Sequence, residues 1–122
     1  MPWELDSDRP IYAQIVDRLK HEIVSGFYPP GSRLPSVRDL AAQASVNPNT
    51  MQKAFTELER TGLIVTRRTS GRTVTEDTAL IEQVRSELAE LQISQFLTRM
   101  QHLGYQKDDS IRLLLAKKEE LS

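Results

Sequence analysis

Apolar positions recur along the chain with changing period, and the changes mark the elements. Ile11, Ile15, Leu19 and Ile23 repeat every four residues with Val16 beside them, the stripe of a helix that buries one face and ends near Gly26. Pro10 suits the first position of that helix, where its missing N–H would have no partner in any case. Pro29-Pro30-Gly31 then interrupts regular structure. Val37, Leu40 and Ala41 give a short second helix its apolar face. Ser36 opens it with Asp39 three residues on, a spacing that satisfies orphan N–H groups at a helix start. Ala44-Ser45-Val46 reads as a turn of small residues. Asn47 caps a third helix, Pro48 takes its first position, and Met51, Ala54, Phe55 and Leu58 fall at i, i+3, i+4 and i+7. Gly62 ends it.

After Gly62 the pattern shortens. Leu63 to Arg67 and Arg72 to Thr75 are β-prone runs, and Arg68-Thr69-Ser70-Gly71 between them has the length and chemistry of a hairpin loop. From Glu76 a long helix follows, with leucines at 80, 88, 91, 97 and 103, until Gly104 stops it. Asp108-Asp109-Ser110 starts a last helix with Ile111, Leu114 and Leu115 on one side. Acids at its start and Lys117 and Lys118 near its end complement the helix dipole. The predicted fold is mainly α, of the α+β class. Residues 1–75 form an N-terminal winged helix-turn-helix with a short β-hairpin wing, and residues 76–122 form a two-helix C-terminal dimerisation tail. The lead over residues 1–8 carries Trp3 and Leu5, and Trp3 is expected to pack against the body or a partner chain.

Composition narrows the function classes. The chain has 122 residues, too few for a DNA reader plus a separate ligand-binding domain of ordinary size. Without cysteine it has no disulfide framework, no thiolate nucleophile and no cysteine-based zinc site. Met1-Pro2-Trp3-Glu4 lacks the basic-then-apolar pattern of a signal peptide, and no apolar run is long enough to span a bilayer, so a cytoplasmic protein without a membrane partner is expected. The net charge of −1 says nothing in favour of nucleic acid, but its distribution does. Residues 1–75 hold ten Lys/Arg and eight Asp/Glu, and residues 76–122 hold six and nine. From Arg60 through Thr75 there are four arginines (Arg60, Arg67, Arg68, Arg72) and no acid. A phosphate-binding surface needs such local positive charge rather than a basic whole.

The third helix is the test of a DNA-binding reading. Its face opposite Met51 and Phe55 carries Asn49, Gln52, Lys53 and Thr56, with Asn47 and Thr50 near the N-terminal end. Asn and Gln can bond adenine in bidentate fashion, Thr can contact a thymine methyl or a phosphate, and Lys can reach guanine or phosphate. No acid appears on this helix before Glu57, whereas an ordinary solvated face would mix Glu with Lys. The reading is a recognition helix over about residues 47–61 in the major groove and a wing over about 63–75. A winged helix used for protein–protein assembly is the rival from another class. An enzyme is not expected. His21 and His102 lie far apart without metal-ligand spacing, no Ser/His/Asp set or glycine-rich phosphate cradle is present, and Asp108, Asp109, Glu119 and Glu120 read as helix-end charges. No catalytic residue, cofactor or metal is therefore assigned.

These residues also carry a resemblance. Pro10-Ile11-Tyr12-x-Gln14-Ile15 and Gly31-x-Arg33-Leu34-Pro35-Ser36-x-Arg38-x-Leu40-Ala41 resemble the signature of the GntR family of bacterial transcription regulators. Val46-Asn47-Pro48-Asn49-Thr50 and Phe55-x-x-Leu58-Glu59-x-x-Gly62-Leu63-Ile64 are similar to its YtrA branch, which pairs the DNA reader with a tail of only two helices. The resemblance implies that Ser36 and Arg38 hold phosphates and the groove edge. It places Asn47, Asn49, Thr50 and Gln52 at the groove-facing start of the recognition helix, and Gly71 at a wing tip that approaches DNA. Two departures shift the expected contacts. The wing is poorer in glycine than is common in the family, and Pro48 stands where other branches place a base-touching arginine, so base reading leans on Asn49, Thr50 and Gln52. Arg68 and Arg72, flanking the turn, are expected to grip DNA outside the central major-groove contacts, and Lys53 is a further DNA contact on the recognition helix. The tail must bury a leucine-rich face, with Leu88, Leu91, Phe96 and Met100 as its candidate dimer interface. A second copy is the simplest partner, and a twofold homodimer then asks for a roughly palindromic double-stranded DNA operator. The expected activity is repression, released by an unidentified small-molecule effector, and apolar residues from Phe96 to Met100 are either an effector pocket or core and interface.

Overall fold

The computed structural model describes residues 3–121, which form five helices and a two-stranded sheet. Helix α1 (Ile11–Val24) buries Ile15, Val16, Leu19 and Ile23, as the four-residue repeat requires. Pro10 is its N-cap, with φ −55° and ψ 130°, and not its first helical residue. Gln14 lies on the buried side although it is polar. Its amide accepts from Asp6 N and donates to Asp6 O, both at 2.7 Å, and donates to Arg9 O at 3.2 Å. A buried amide needs such partners, and here they tie the N-terminal lead to α1. Trp3 packs against the core, with the Arg18 guanidinium carbon 4.1 Å from its ring centroid.

Helix α2 (Val37–Ala44) opens as the cap spacing predicts, the Ser36 hydroxyl accepting from Asp39 N at 3.0 Å. It closes on Ser45 in the left-handed conformation (φ 58°), where Ser45 N donates to Ala42 O and Val46 N to Ala41 O. That sharp closure turns the chain directly into helix α3 (Pro48–Thr61). Asn47 caps α3 by accepting from Asn49 N at 2.7 Å, and Pro48 occupies its first turn. Gly62 stops it at φ 88°. A Cβ at Gly62 would also come within 3.3 Å of the Leu80 side chain, so both conformation and space call for glycine.

Strands β1 (Ile64–Arg67) and β2 (Gly71–Val74) form the hairpin, with Ile64 opposite Val74 and Arg67 opposite Gly71. Gly71 therefore belongs to the strand and not to the loop, and a three-residue turn remains. Its φ of +74° is the left-handed conformation with which such turns rejoin the strand. The other edge of β2 is covered by residues 31–34. Leu34 N donates to Arg72 O at 2.9 Å, Val74 N to Ser32 O at 2.9 Å, and Gly31 N to Val74 O at 3.0 Å. The Pro29-Pro30-Gly31 break thus delivers a short segment that pairs with the wing, which no local pattern announced.

Helix α4 (Thr78–His102) starts two residues later than Glu76, because Asp77 caps it by accepting from Leu80 N at 3.1 Å. Helix α5 (Lys107–Leu121) starts one residue before Asp108, and Asp109 reaches back to accept from Gln106 N at 3.2 Å. The chain divides into two compact units, one ending at Arg85 and one beginning at Ser86. The first unit runs past the predicted boundary at residue 75 because Leu80, Ile81 and Val84 at the start of α4 pack against its core. That core joins α1, α2, α3 and the hairpin through Ile15, Leu19, Leu40, Met51, Phe55, Leu58, Leu63 and Val74, all fully buried. Burying each such side chain contributes roughly 1.5–3 kcal/mol. In the second unit, among the described residues, no apolar side chain is buried, and the buried residue is Ser110, whose hydroxyl donates to Gln106 O at 3.2 Å.

Candidate nucleic-acid interface

Helix α3 is held by α1, α2 and β1 through its Met51, Ala54, Phe55 and Leu58 face. The opposite face is free. Pro48, Asn49, Gln52, Lys53, Thr56 and Arg60 are all exposed, and their spacing places them along one side of the helix. The fold therefore puts the sequence-predicted reading residues on the solvent side of a rigid helix. Asn47 is exposed and Thr50 half-buried, and both line an open cleft of about 400 Å³ with Trp3, Leu5 and Ile11.

Their hydrogen-bonding capacity is partly in use. Asn47 uses one lone pair of its side-chain oxygen on the cap, and its NH2 remains to meet DNA. The Gln52 amide donates to the Thr56 hydroxyl at 3.3 Å, and that hydroxyl donates to Gln52 O at 3.0 Å. The second amide hydrogen and the side-chain oxygen of Gln52 remain for adenine. Lys53 extends over the Tyr12 ring, with Nζ 4.0 Å from the centroid, so α1 directs the lysine's position. Ser36 accepts at the α2 cap, which leaves its hydroxyl hydrogen for a phosphate oxygen.

A second cleft, of about 610 Å³, runs between the start of α2 and the wing. Arg33, Ser36, Asp39, Gly71 and Arg72 line it with Tyr28. Burial, and secondarily the charge of Glu22, raises the Tyr28 phenol pKa above its ordinary value against the opposing pull of Arg18. Its hydroxyl is accordingly a neutral donor. In the sequence Arg33 stands out only as part of a motif, and its place in this cleft follows from pairing with β2.

The four arginines between Arg60 and Thr75 do not share one environment. Arg60 is hydrogen-bonded to Glu57, and that bond is the main reason the Glu57 carboxyl lies below its ordinary pKa. Arg72 donates through Nε to Glu59 at 2.5 Å and lies 5.3 Å from the Phe55 ring centroid. Both counter-charges precede the stretch in sequence and come from α3. Arg67 and Arg68 are exposed and in no ion pair among the described residues, as are Arg33 and Arg38. The two arginines that flank the turn thus differ in setting: Arg68 is exposed, and Arg72 lies back against α3. Gly71 needs its glycine for φ, since a Cβ there would lie 3.8 Å from Arg33, an ordinary contact.

In the tail, Leu88, Phe96 and Met100 are half-buried and Leu91 is 53% exposed. Further large apolar residues are exposed beside them in sequence. They are Ile93, Leu103, Tyr105, Ile111, Leu113, Leu114 and Leu115, and Leu103 reaches 73%. Of these, the helical pattern places only Ile111, Leu114 and Leu115 on one side of the last helix.

Residues 11–74, the three helices and the wing, match the family model described as bacterial regulatory proteins, gntR family. The chain belongs to the GntR family. It is a DNA-binding transcription regulator with a winged helix-turn-helix and is YtrA-like. It is 40% identical over 100 residues to the transcriptional repressor YtrA of Bacillus subtilis, a match covering 80% of this chain and 76% of that protein. A solved GntR family regulator from Listeria monocytogenes is 41% identical and superposes with a TM-score of 0.82, over 92% of this chain and 98% of that one. The DNA-binding domain of AraR in complex with operator ORX1 is 26% identical with a TM-score of 0.52, covering 62% of this chain and 92% of that chain. These relatives are regulators, and no enzyme family is indicated. Among the described residues no helix is long and apolar enough to cross a membrane.

Proposed function

We propose that this regulator is a cytoplasmic repressor that binds a roughly palindromic operator as a homodimer. Helix α3 enters the major groove, and Asn49, Thr50 and Gln52 read base edges with Lys53 beside them. Ser36 and Arg38 at the start of α2 hold the phosphate backbone, Asn47 offers its NH2, and Arg68 on the turn before Gly71 reaches the flanking groove. The observation that carries this reading is the free polar face of α3, which holds no acid before Glu57 and stands opposite a fully buried apolar face. The AraR DNA-binding domain, of related fold, is solved on an operator, which supports the same use of this module here.

The dimer part rests on residues 86–122. Among its described residues this segment buries no apolar side chain, yet it carries Leu91, Leu103, Ile111, Leu114 and Leu115 to the surface, and such a face requires a cover. A second copy supplies an identical face, and two linked readers then match two half-sites about one helical turn apart or a multiple of it. A small-molecule effector would act by changing that spacing, and the tail cleft of about 480 Å³ lined by Ser94, Thr98, Gln101 and Tyr105 is its candidate seat.

Selection of duplexes from a random pool by the full chain tests the whole reading. The expected result is an enriched inverted repeat bound by two chains, with random duplex bound far more weakly. Equal binding of selected and random duplexes would reject sequence reading and favour protein assembly as the module's use.

A further inference from the structure

A hairpin of two four-residue strands has little stability alone, so its direction depends on what ties it to the body. Two ties are the backbone pairing of β2 with residues 31–34 and the burial of Ile64 and Val74 in the core. A third is Arg72, which stands on β2 opposite Thr66 and reaches Glu59 on α3 at 2.5 Å while its guanidinium lies beside Phe55. Arg72 and Glu59 are 27% and 32% exposed at their side chains, and Phe55 is fully buried. Arg72 spends its Nε–H on Glu59, and that adjacent carboxylate offsets its charge, so it attracts a phosphate less than an unpaired arginine does.

Arg33 is placed differently. Its backbone is bridged to Thr73, and its Nε and Nη2 lie 3.8 and 3.9 Å from where a Cβ at Gly71 would stand. It is exposed and lines the cleft that also holds Ser36. Asp39 lines the same cleft, and no ion pair joins it to Arg33. We propose that Glu59 and Arg72 are positioning residues that set the direction of the wing against the recognition helix, and that Arg33 makes the phosphate contact at the base of the wing.

This rests on the reading of the α2–wing cleft as facing DNA, and the test separates the two. Full-length variants are titrated against a duplex selected by the unaltered chain, over a salt series, with far-UV circular dichroism to confirm folding. Arg33→Gln should flatten the plot of log affinity against log salt by about one unit per protomer. Arg72→Gln and Glu59→Gln should each weaken binding on the order of tenfold with the slope unchanged. Arg72→Lys should be as weak as Arg72→Gln, since a lysine lacks the Nε–H that reaches Glu59. The exchanged pair Glu59→Arg with Arg72→Glu should recover most of the affinity. An Arg72→Gln variant with a flattened slope, while Arg72→Lys binds like the unaltered chain, would overturn the proposal by making Arg72 a phosphate ligand. So would tighter binding by Glu59→Gln, or an unchanged slope for Arg33→Gln. If Arg33→Gln, Arg68→Gln and Arg38→Gln all leave the slope unchanged, the DNA-facing reading of the cleft itself fails.

Discussion

Residues up to Arg85 and residues from Ser86 onward are both mostly helical, yet they treat apolar side chains in opposite ways. In the first unit every stripe finds a partner within the chain. Leu19, Leu40, Phe55 and Val74 come from four different elements and are all fully buried. In the second, α4 and α5 carry a comparable density of leucine and isoleucine and leave it half-buried or exposed. Helical periodicity announces an apolar face but does not say whether the partner is in the same chain. Two helices offer only one mutual contact, which is too little to enclose large side chains on both. The same comparison separates rigid reading from assembly. The core that holds α3 is internal to the chain, whereas the cover proposed for the tail is external to it.

The largest effects should test the internal core. Phe55→Ala should cost about 3–5 kcal/mol of unfolding free energy and abolish cooperative thermal unfolding near the original midpoint. Leu91→Ala in a monomeric chain would cost within about 0.5 kcal/mol, as at other exposed sites. A larger loss at Leu91 that shrinks as the protein is diluted into its monomeric range would show an external cover at that position. Next comes the boundary. A chain ending at Arg85 should fold as a monomer, while one ending at Thr75 loses buried Ile81 and should be less stable by about 2–5 kcal/mol in chemical denaturation. Equal stability of the two would show that the start of α4 contributes nothing to the first core.

The tail comparison is sharpened by Leu114→Glu combined with Leu115→Glu. Light scattering should move from the mass of two chains to that of one, with circular dichroism of the first unit unchanged. A single-chain mass before substitution would remove the dimer reading. A smaller effect is expected at the wing, where Gly71→Ala forces φ +74° on a residue with a Cβ at a cost of about 1 kcal/mol. Because that Cβ meets only ordinary contacts, the loss should appear as hairpin fraying in amide exchange and not as a shift in the core.

The smallest effect is electrostatic. Hydrogen bonding to Arg60 depresses the Glu57 pKa in the folded chain, so its contribution is present above the unfolded carboxyl value and is lost as pH falls through the folded one. Glu57→Gln should therefore lower the melting temperature slightly at neutral pH, and the difference should vanish in acid. A difference that persists in acid would assign the effect to packing.

Local pattern was enough wherever a side chain acts on its own neighbourhood. The Ser36 and Asn47 caps, Pro48 in the first turn, the Gly62 stop and the four-residue stripes of α1 and α3 depend on groups within one or two helical turns. Those same periodicities determined which face of α3 stays free, and hence which residues can read DNA. The order of three helices and a hairpin then determined the fold class. Tertiary structure alone decided where the charges of the wing go. Glu59 and Arg72 are thirteen positions apart, and no periodic rule pairs a residue on a helix with one on a strand beyond it. It also decided that residues 31–34 would cover β2 and bring Arg33 beside Gly71, since strand pairing joins backbones whatever their separation in sequence. An acid-free run of arginines could thus be seen in the chain, and i,i+3 spacing pairs Arg60 with Glu57 within α3, but Glu59 became visible as the partner of Arg72 only once α3 and the wing were packed together.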